Sequence, residues 1–142
     1  MGIKVDLSQL QDFQNKINVL NGEQRREFFR NNTNELGNRL IALVKPQTPV
    51  ITGTLRNSWA STPVTENADS YSMDVYNSQE YSEYVEHGHR QTPGRYVPAI
   101  GKRLVASWVE GTHMLEKSEN QLEPIAPKTI EGNLDRLLRT VF

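Results

Sequence analysis

The spacing of apolar positions along the chain changes several times, and each change marks an element. Leu10, Phe13, Ile17 and Leu20 recur at helical spacing behind Asp6 and Ser8, either of which caps a helix start, and Asn21-Gly22 supplies a stop. A longer helix is predicted from about Glu23 to Val44. Phe29, Leu36, Leu40 and Leu43 form its stripe, Gln24 to Glu27 make a polar first turn, Gly37 weakens it slightly and Pro46 ends it. The period then drops to two. Leu55 to Val64 reads as a strand broken late by Pro63, with Leu55 and Trp59 on one face and Arg56 and Ser58 on the other. Tyr71, Met73 and Val75 alternate in a second strand, and the polar cluster at 66–70 makes the pair a hairpin.

The switch from helix to strand is packed into Thr48 to Trp59. Pro46 and Pro49 cannot continue a helix, and Gly53 takes the positive φ of a tight turn. Helical spacing returns at Tyr81, Tyr84 and Val85, with Glu80, Glu83 and Glu86 on the opposite side. This predicts a two-turn helix with an acidic outer edge, closed by Gly88. Gly53 and Gly88 are assigned to backbone geometry, and Leu55, Trp59, Tyr84 and Val85 to the core.

His89 to Arg103 reads as a long loop, with two prolines, two glycines, four basic residues and Tyr96, Val97 and Ile100 as its large apolar side chains. Val105 to Val109, carrying Trp108, returns as a strand, and a helix starting near Thr112 presents Met114, Leu115 and Leu122. Pro124 and Pro127 precede a last helix whose Ile130, Leu134, Leu137, Leu138 and Val141 need a partner, in this subunit or a neighbour. Together these elements predict one α+β domain over 1–142. Its core spans 23–123, and the helices at 6–21 and 127–141 are peripheral.

Composition narrows the function classes. The 142 residues include 36% hydrophobic side chains, carry a formal charge of −1 and show no apolar run approaching the roughly twenty residues that span a bilayer. The chain therefore reads as soluble, and no signal peptide is evident. Cysteine is absent, which excludes disulfides, thiolate metal sites and a thiol nucleophile, and fits folding in a reducing cytoplasm. The small net charge conceals a segregation: residues 47–88 hold six acids against one Arg, whereas 89–109 hold four Lys or Arg and no acid. Two patches of opposite sign let copies dock head to tail, although an uneven solvated surface gives the same count.

Catalytic chemistry finds little support. His87 and His89, with Glu86 adjacent and His113 further on, are the residues that suggest a metal site. A helix end that favours histidine explains them more simply. Ser58, Ser61 and Ser107 lie in no nucleophile elbow, no phosphate-cradling loop occurs, and a solvated edge accounts for Glu80, Glu83 and Glu86. Arg90, Arg95, Lys102 and Arg103 with Tyr96 could touch nucleic acid, but a sequence pI near 6.3 lacks the general basic footprint. The expectation is a chain without catalytic residues, metal or cofactor. A histidine-based metal-dependent enzyme or nuclease is the alternative of another class.

Three segments in order carry a resemblance: Thr48 to Ser58, then Tyr81 to His89, then Gly94-Arg95-Tyr96-Val97-Pro98 leading to His113-Met114-Leu115. Over about 23–123 the chain resembles the neck or tail-completion proteins that join head to tail in long-tailed bacteriophages, a family related to the lambda-type minor tail protein Z. In that family a P-x-x-T-G-x-L-R-x-S segment precedes a Y-x-x-Y-V-E-x-G helix, a basic loop and a closing helix. Pro49, Gly53, Leu55, Arg56, Trp59, Tyr84, Val85 and Gly88 fall on or beside this framework.

The resemblance implies an α+β subunit, a small antiparallel sheet on helices, that assembles into a ring of six where the portal vertex meets the tail. Its partners would be its own copies, a head-closure or connector protein, and the tail terminator or tail tube, with DNA passing through the channel and no membrane contact. Tail-terminator and minor capsid roles in the same particle are the alternatives. Assembly in the host cytoplasm would place it in the virion. In such a ring the acidic edge of Glu80, Glu83 and Glu86 is expected to meet a basic residue such as Arg95 or Arg103 of the next subunit, with Arg90, Tyr96 and Lys102 nearby. The long loop is expected to order on docking.

Overall fold

The computed structural model describes residues 2–5, 11–50, 52–68, 70–98, 101–103 and 107–141, with side chains from Gln14 onward. In chain order these form β1 (Gly2–Val5), α1 (Gln11–Ile17), α2 (Gly22–Gln47), α3 (Thr54–Asn57), β2 (Trp59–Ser61), β3 (Thr65–Glu66) and β4 (Tyr71–Asn77). There follow α4 (Ser82–His87), β5 (Gly88–Arg90), β6 (Tyr96–Val97), β7 (Lys102–Arg103), β8 (Trp108–Glu110), α5 (Met114–Leu122) and α6 (Ala126–Val141). Asp6, Ser8, Leu10, the Phe13 side chain, Ile51, Asp69, Ile100 and Val105 lie outside the described residues.

The long helix α2 is the centre of the α+β fold. Asn21, expected as a stop, instead caps its start: the Asn21 side chain accepts from the Gln24 amide at 2.8 Å, and the Gln24 side chain accepts from the Asn21 amide at 3.0 Å. A reciprocal box of this kind satisfies two of the donors that a helix start leaves open. Pro46 does not end the helix but sits within its last turn. Carbonyls near it are taken up by Gln47 and Thr48. Gln47 Nε2 donates to Leu43 O at 3.2 Å, Thr48 Oγ1 to Val44 O at 2.7 Å and the Thr48 amide to Lys45 O at 3.1 Å.

Apolar residues on α2 cover more than one stripe because it is packed on two sides. Phe28, Leu36, Leu40 and Val44 are buried, and Phe29, Ile41 and Leu43 are partly so. The sheet lies on one side, and α5 and α6 also pack on α2. Strand β4 is central. It pairs antiparallel with β1 from Gly2↔Asp74 to Val5↔Tyr71, with β2 from Trp59↔Asn77 to Ser61↔Val75, and with β3 at Thr65↔Ser72 and Glu66↔Tyr71. The expected hairpin and the alternation of β4 are therefore present, with Met73 and Val75 buried. Gly37 lets β4 approach, since a Cβ there would run into the Met73 thioether. Most of the terminal stripe of α6 finds its partner in the same subunit: Ile130 and Leu134 are buried in the core and Leu137 and Leu138 pack against it, while Val141 stays exposed.

The junction departs from expectation in one element. Leu55 and Trp59 are both buried, but the chain forms the helical turn α3 before the strand starts at Trp59. A separation of four residues satisfies a helix face and a strand face alike, so spacing could not separate them. Gly53 stands before the turn at φ 84°, and Ser58 Oγ donates to Thr54 O at 2.6 Å. Thr48 ties the junction to the sheet. Its hydroxyl accepts from the Trp59 indole N–H at 2.9 Å while donating to α2, and Asn77 Nδ2 donates to Leu55 O at 2.8 Å. Arg56 reaches the Thr48 carbonyl at 3.4 Å.

Thr48→Val should leave the buried indole N–H without an acceptor and destabilise the fold by about 1–3 kcal/mol. Urea unfolding should show that loss reduced in a Trp59→Phe background, because the two groups act as one pair.

Candidate assembly interface

Helix α4 and helix α5 cap each other although they are far apart in the chain, and the segment between them hangs from that splice. Gly88, at φ 88°, turns the end of α4 into β5, where a Cβ would press on the Val109 carbonyl at 2.5 Å and on the Trp108 ring at 2.9 Å. Strand β5 pairs antiparallel with β8 from Gly88↔Glu110 to Arg90↔Trp108, and the Gln91 amide extends the ladder to Ser107 O at 3.0 Å. Immediately after β8, Gly111 passes over the end of α4 so closely that a Cβ would overlap the Glu86 carbonyl oxygen. The amide and hydroxyl of Thr112 donate to Val85 O at 2.7 and 3.1 Å, and the His113 amide donates to Glu86 O at 3.0 Å. The last carbonyls of α4 are thus satisfied by residues leading into α5.

The return half of the splice is a side chain. His113 precedes α5 in a left-handed conformation, φ 51°, with no side-chain cap of its own. Glu86 supplies it: one carboxylate oxygen accepts from the Leu115 amide at 2.8 Å and the other from the Glu116 amide at 3.3 Å. Glu86 is only 5% exposed. Burial of a carboxylate is unfavourable unless it is well partnered, and here two amides and the positive end of the helix dipole partner it.

This overturns the expected facing of α4. Glu86 is not on an acidic outer edge but is buried, and Tyr84, assigned to the core, is 60% exposed and lies against His89 with ring centroids 5.8 Å apart. The cause is the cap: turning Glu86 toward α5 turns Tyr84 outward, leaving Val85 to pack partly on the core. The acidic block is also divided. Glu66 faces Arg26 and Arg30, each at 3.6 Å, Glu86 serves α5, and Asp74, Glu80 and Glu83 stay exposed.

Beyond the splice, the described residues between 90 and 108 form an arm rather than a plain loop. Tyr96↔Arg103 and Val97↔Lys102 pair in a second short ribbon, with Gly94 and Gly101 at φ 84° and 64° on its turns. Arg103 donates to Gly94 O at 2.9 Å and stands 6.0 Å over the Tyr96 ring, a cation–π contact. Arg90, Arg95, Tyr96, Lys102, Arg103 and Trp108 are exposed. Among the described residues no carboxylate pairs with any of these four cations. The structure thus brings the basic residues together on one arm but leaves Glu80 and Glu83 on α4 and its approach, without an ion pair to them. Spacing marks Trp108 only as a strand residue; its place beside four cations in an acid-free stretch is the signal that sets it on this surface.

The three imidazoles are split. His87 meets His113 edge-on with centroids 6.5 Å apart, while His89 contacts Tyr84. Among the described residues, ligand-type atoms converge at Glu86, His113 and Glu116, within 4.8 Å of one another. That group contains one of the three histidines. Both Glu86 oxygens already accept helix amides, His113 Nδ1 lies 3.1 Å from Glu116, and the positive helix end disfavours a cation there.

Glu86→Ala should destabilise the protein by about 2–4 kcal/mol, since two amides lose a charged acceptor, with Glu86→Gln milder. Hydrogen exchange should quicken first at the Leu115 and Glu116 amides. On the next turn of α5, burial pushes the Glu119 carboxyl above its ordinary range, and Glu86 and Glu116 add to the effect. A value raised on folding contributes stability at low pH that is lost as pH rises through it. Glu119→Gln should therefore raise the melting temperature at pH 7, and that gain should vanish on acidification below the ordinary carboxylate value of 4.5.

No described helix is long and apolar enough to cross a membrane. Comparison with known proteins finds no match among curated proteins and none among solved structures. A family model does match, over residues 11–88: the HK97-gp10-like family, described as "Bacteriophage HK97-gp10, putative tail-component". The matched span includes the α2 hub, the Thr48–Trp59 junction, the central strand and the α4 half of the splice. The chain belongs to the HK97-gp10-like family of bacteriophage tail components.

Proposed function

We propose that this tail-family protein is a structural component of the head–tail junction. It assembles into a closed ring of identical copies, six by the resemblance to tail-completion proteins, and joins the head-closure or connector proteins to the tail terminator or tail tube. Its work is done by interfaces, without catalysis or a cofactor. The observation that carries this reading is the arm at 90–108, held at both feet and bearing four cations with no carboxylate partner among the described residues. A closed ring is built from a heterologous contact, in which two different patches of each subunit meet. An anchored, charged, aromatic arm supplies one such patch. Cations turned toward the channel would also tolerate passing DNA without reading its sequence.

Particles made without this protein should accumulate as filled tailless heads beside tails of normal length, and end-on micrographs of complete necks should show it as a closed ring. Tails of uncontrolled length would assign it to tail termination instead, and defective heads would assign it to the capsid.

A further inference from the structure

The patch that receives the arm can be located from the structure. Helices α2 and α6 enclose a cleft of about 360 Å³. Glu27, Asn31 and Glu35 line it from α2 and Asn133 and Leu137 from α6, over the buried Phe28 ring. Among the described residues no lysine or arginine lines it, although Arg136 reaches Asn133 beside it. Glu35 is engaged with Arg39 at 3.3 Å and accepts from Asn133 at 2.5 Å, whereas Glu27 is exposed and has no ion pair among the described residues. A shallower depression shares Asn31 and Glu35 and continues along α2 past Asn34 and Asn38. None of the described arm residues lines this cleft in its own subunit.

We infer that the α2–α6 cleft is the acceptor for the arm tip of a second copy of this chain, with Tyr96 over Phe28 and Leu137 and Arg95 facing Glu27. The inference rests on the ring reading and specifies its contact. Charge and shape both favour it. The arm has four cations and no acid from His87 to Val109, and the cleft has two acids and, among the described residues, no cation in its lining. Tyr96 is 51% exposed between Arg95 and the Arg103 that stands over its ring, and the cleft offers an apolar floor within a polar rim. Tyrosine and arginine entering a pocket are the pattern that dominates binding energy, whereas a pair between exposed charges contributes little. The apolar floor of Phe28 and Leu137 separates this cleft, whose Glu27 is also exposed, from Glu80 and Glu83 beside the arm's own foot. Asn31, Asn34 and Asn38 further offer donors and acceptors to the open edges of the two-residue strands β6 and β7.

The test uses the full chain in light scattering over a concentration series, with circular dichroism confirming that each variant is folded. Arg95→Glu and Glu27→Arg are each expected to weaken self-association about tenfold or more. Carrying both changes in one chain should restore it to within about threefold, because each interface then pairs the reversed charges. Tyr96→Ala should weaken it without rescue by Glu27→Arg. An oligomer insensitive to either single reversal overturns the docking, as does a double variant no better than the singles. A wild type that stays monomeric at every concentration also overturns it, while the ring itself is judged by the end-on micrographs. If the arm variants lose retention on DNA but keep their oligomer mass, the arm belongs to nucleic acid and the docking is again overturned.

Discussion

A single buried carboxylate fixes the geometry on which the rest of this molecule depends. Glu86 leaves α4 and accepts the first amides of α5, while the residues before α5 cap the last carbonyls of α4. Taken alone, each half of this exchange would be unfavourable. A carboxylate 5% exposed loses several kcal/mol of hydration, and a helix start without its own cap leaves donors open. Joined, the two deficits offset one another. The site tolerates little variation: Gly111 must be glycine to pass the Glu86 carbonyl, and Gly88 must turn at positive φ beneath Val109. The outcome is that both feet of the arm, at 88 and 110, are set relative to the body by backbone contacts rather than by exposed side chains.

The body that receives those contacts is organised by α2. Its C-terminal end is connected to the sheet through Thr48, whose hydroxyl links Val44 of the helix to Trp59 of β2, and through Asn77, which holds α3 to the central strand. Its flank packs α5 and α6, so the helix that supports the splice also forms one wall of the α2–α6 cleft. Polar groups buried on that flank are satisfied locally: Asn32 donates to Phe28 O at 2.7 Å and accepts from Asn133 at 2.8 Å, and Thr33 donates to Phe29 O at 2.8 Å. The Asn32–Asn133 bond sets the two helices in register at one end of the cleft. The feet of the arm and the walls of the cleft are therefore tied to one framework, which is the property that a repeating head-to-tail contact requires.

Much of this architecture is legible from residue spacing, and the failures have definite causes. Helices with several turns and clear stripes, α2, α5 and α6, declare themselves, as does the alternation in β4. The turn α3 does not, because Leu55 and Trp59 are four apart and fit either period. The facing of α4 is misleading in sequence because three glutamates at near-helical spacing resemble a solvated edge; nothing local distinguishes the one that caps a helix 29 residues later. Asn21-Gly22 separates two helices, and the capping partner Gln24 is the signal that it starts the second. Strand β1 is four residues long and is stabilised by pairing with β4 some 70 positions away, which no local pattern encodes. Of the proposed interface, the arm can be read from its charge and proline–glycine content. The cleft cannot, since Glu27 and Leu137 meet only once α6 has packed on α2.

The contrast between the arm's feet and its tip bears on the proposed assembly of the subunit. A ladder of two residues on each side, as in β6 and β7, is marginal without further support. The feet are different, being held by the β5–β8 ladder, by two glycines whose side-chain space is occupied, and by the buried cap. Docking a wholly flexible loop would require ordering every residue from 88 to 110, at about 1–2 kcal/mol for each backbone fixed. Anchoring the feet removes part of that cost before any partner arrives, and would leave the tip to settle into the proposed acceptor. A tip rigid throughout would demand near-perfect placement of every subunit in a ring, because angular errors accumulate around it. In the proposed ring, rigid feet would set the direction of the next subunit and a compliant tip would absorb the residual error, so closure would not require each copy to be placed without deviation.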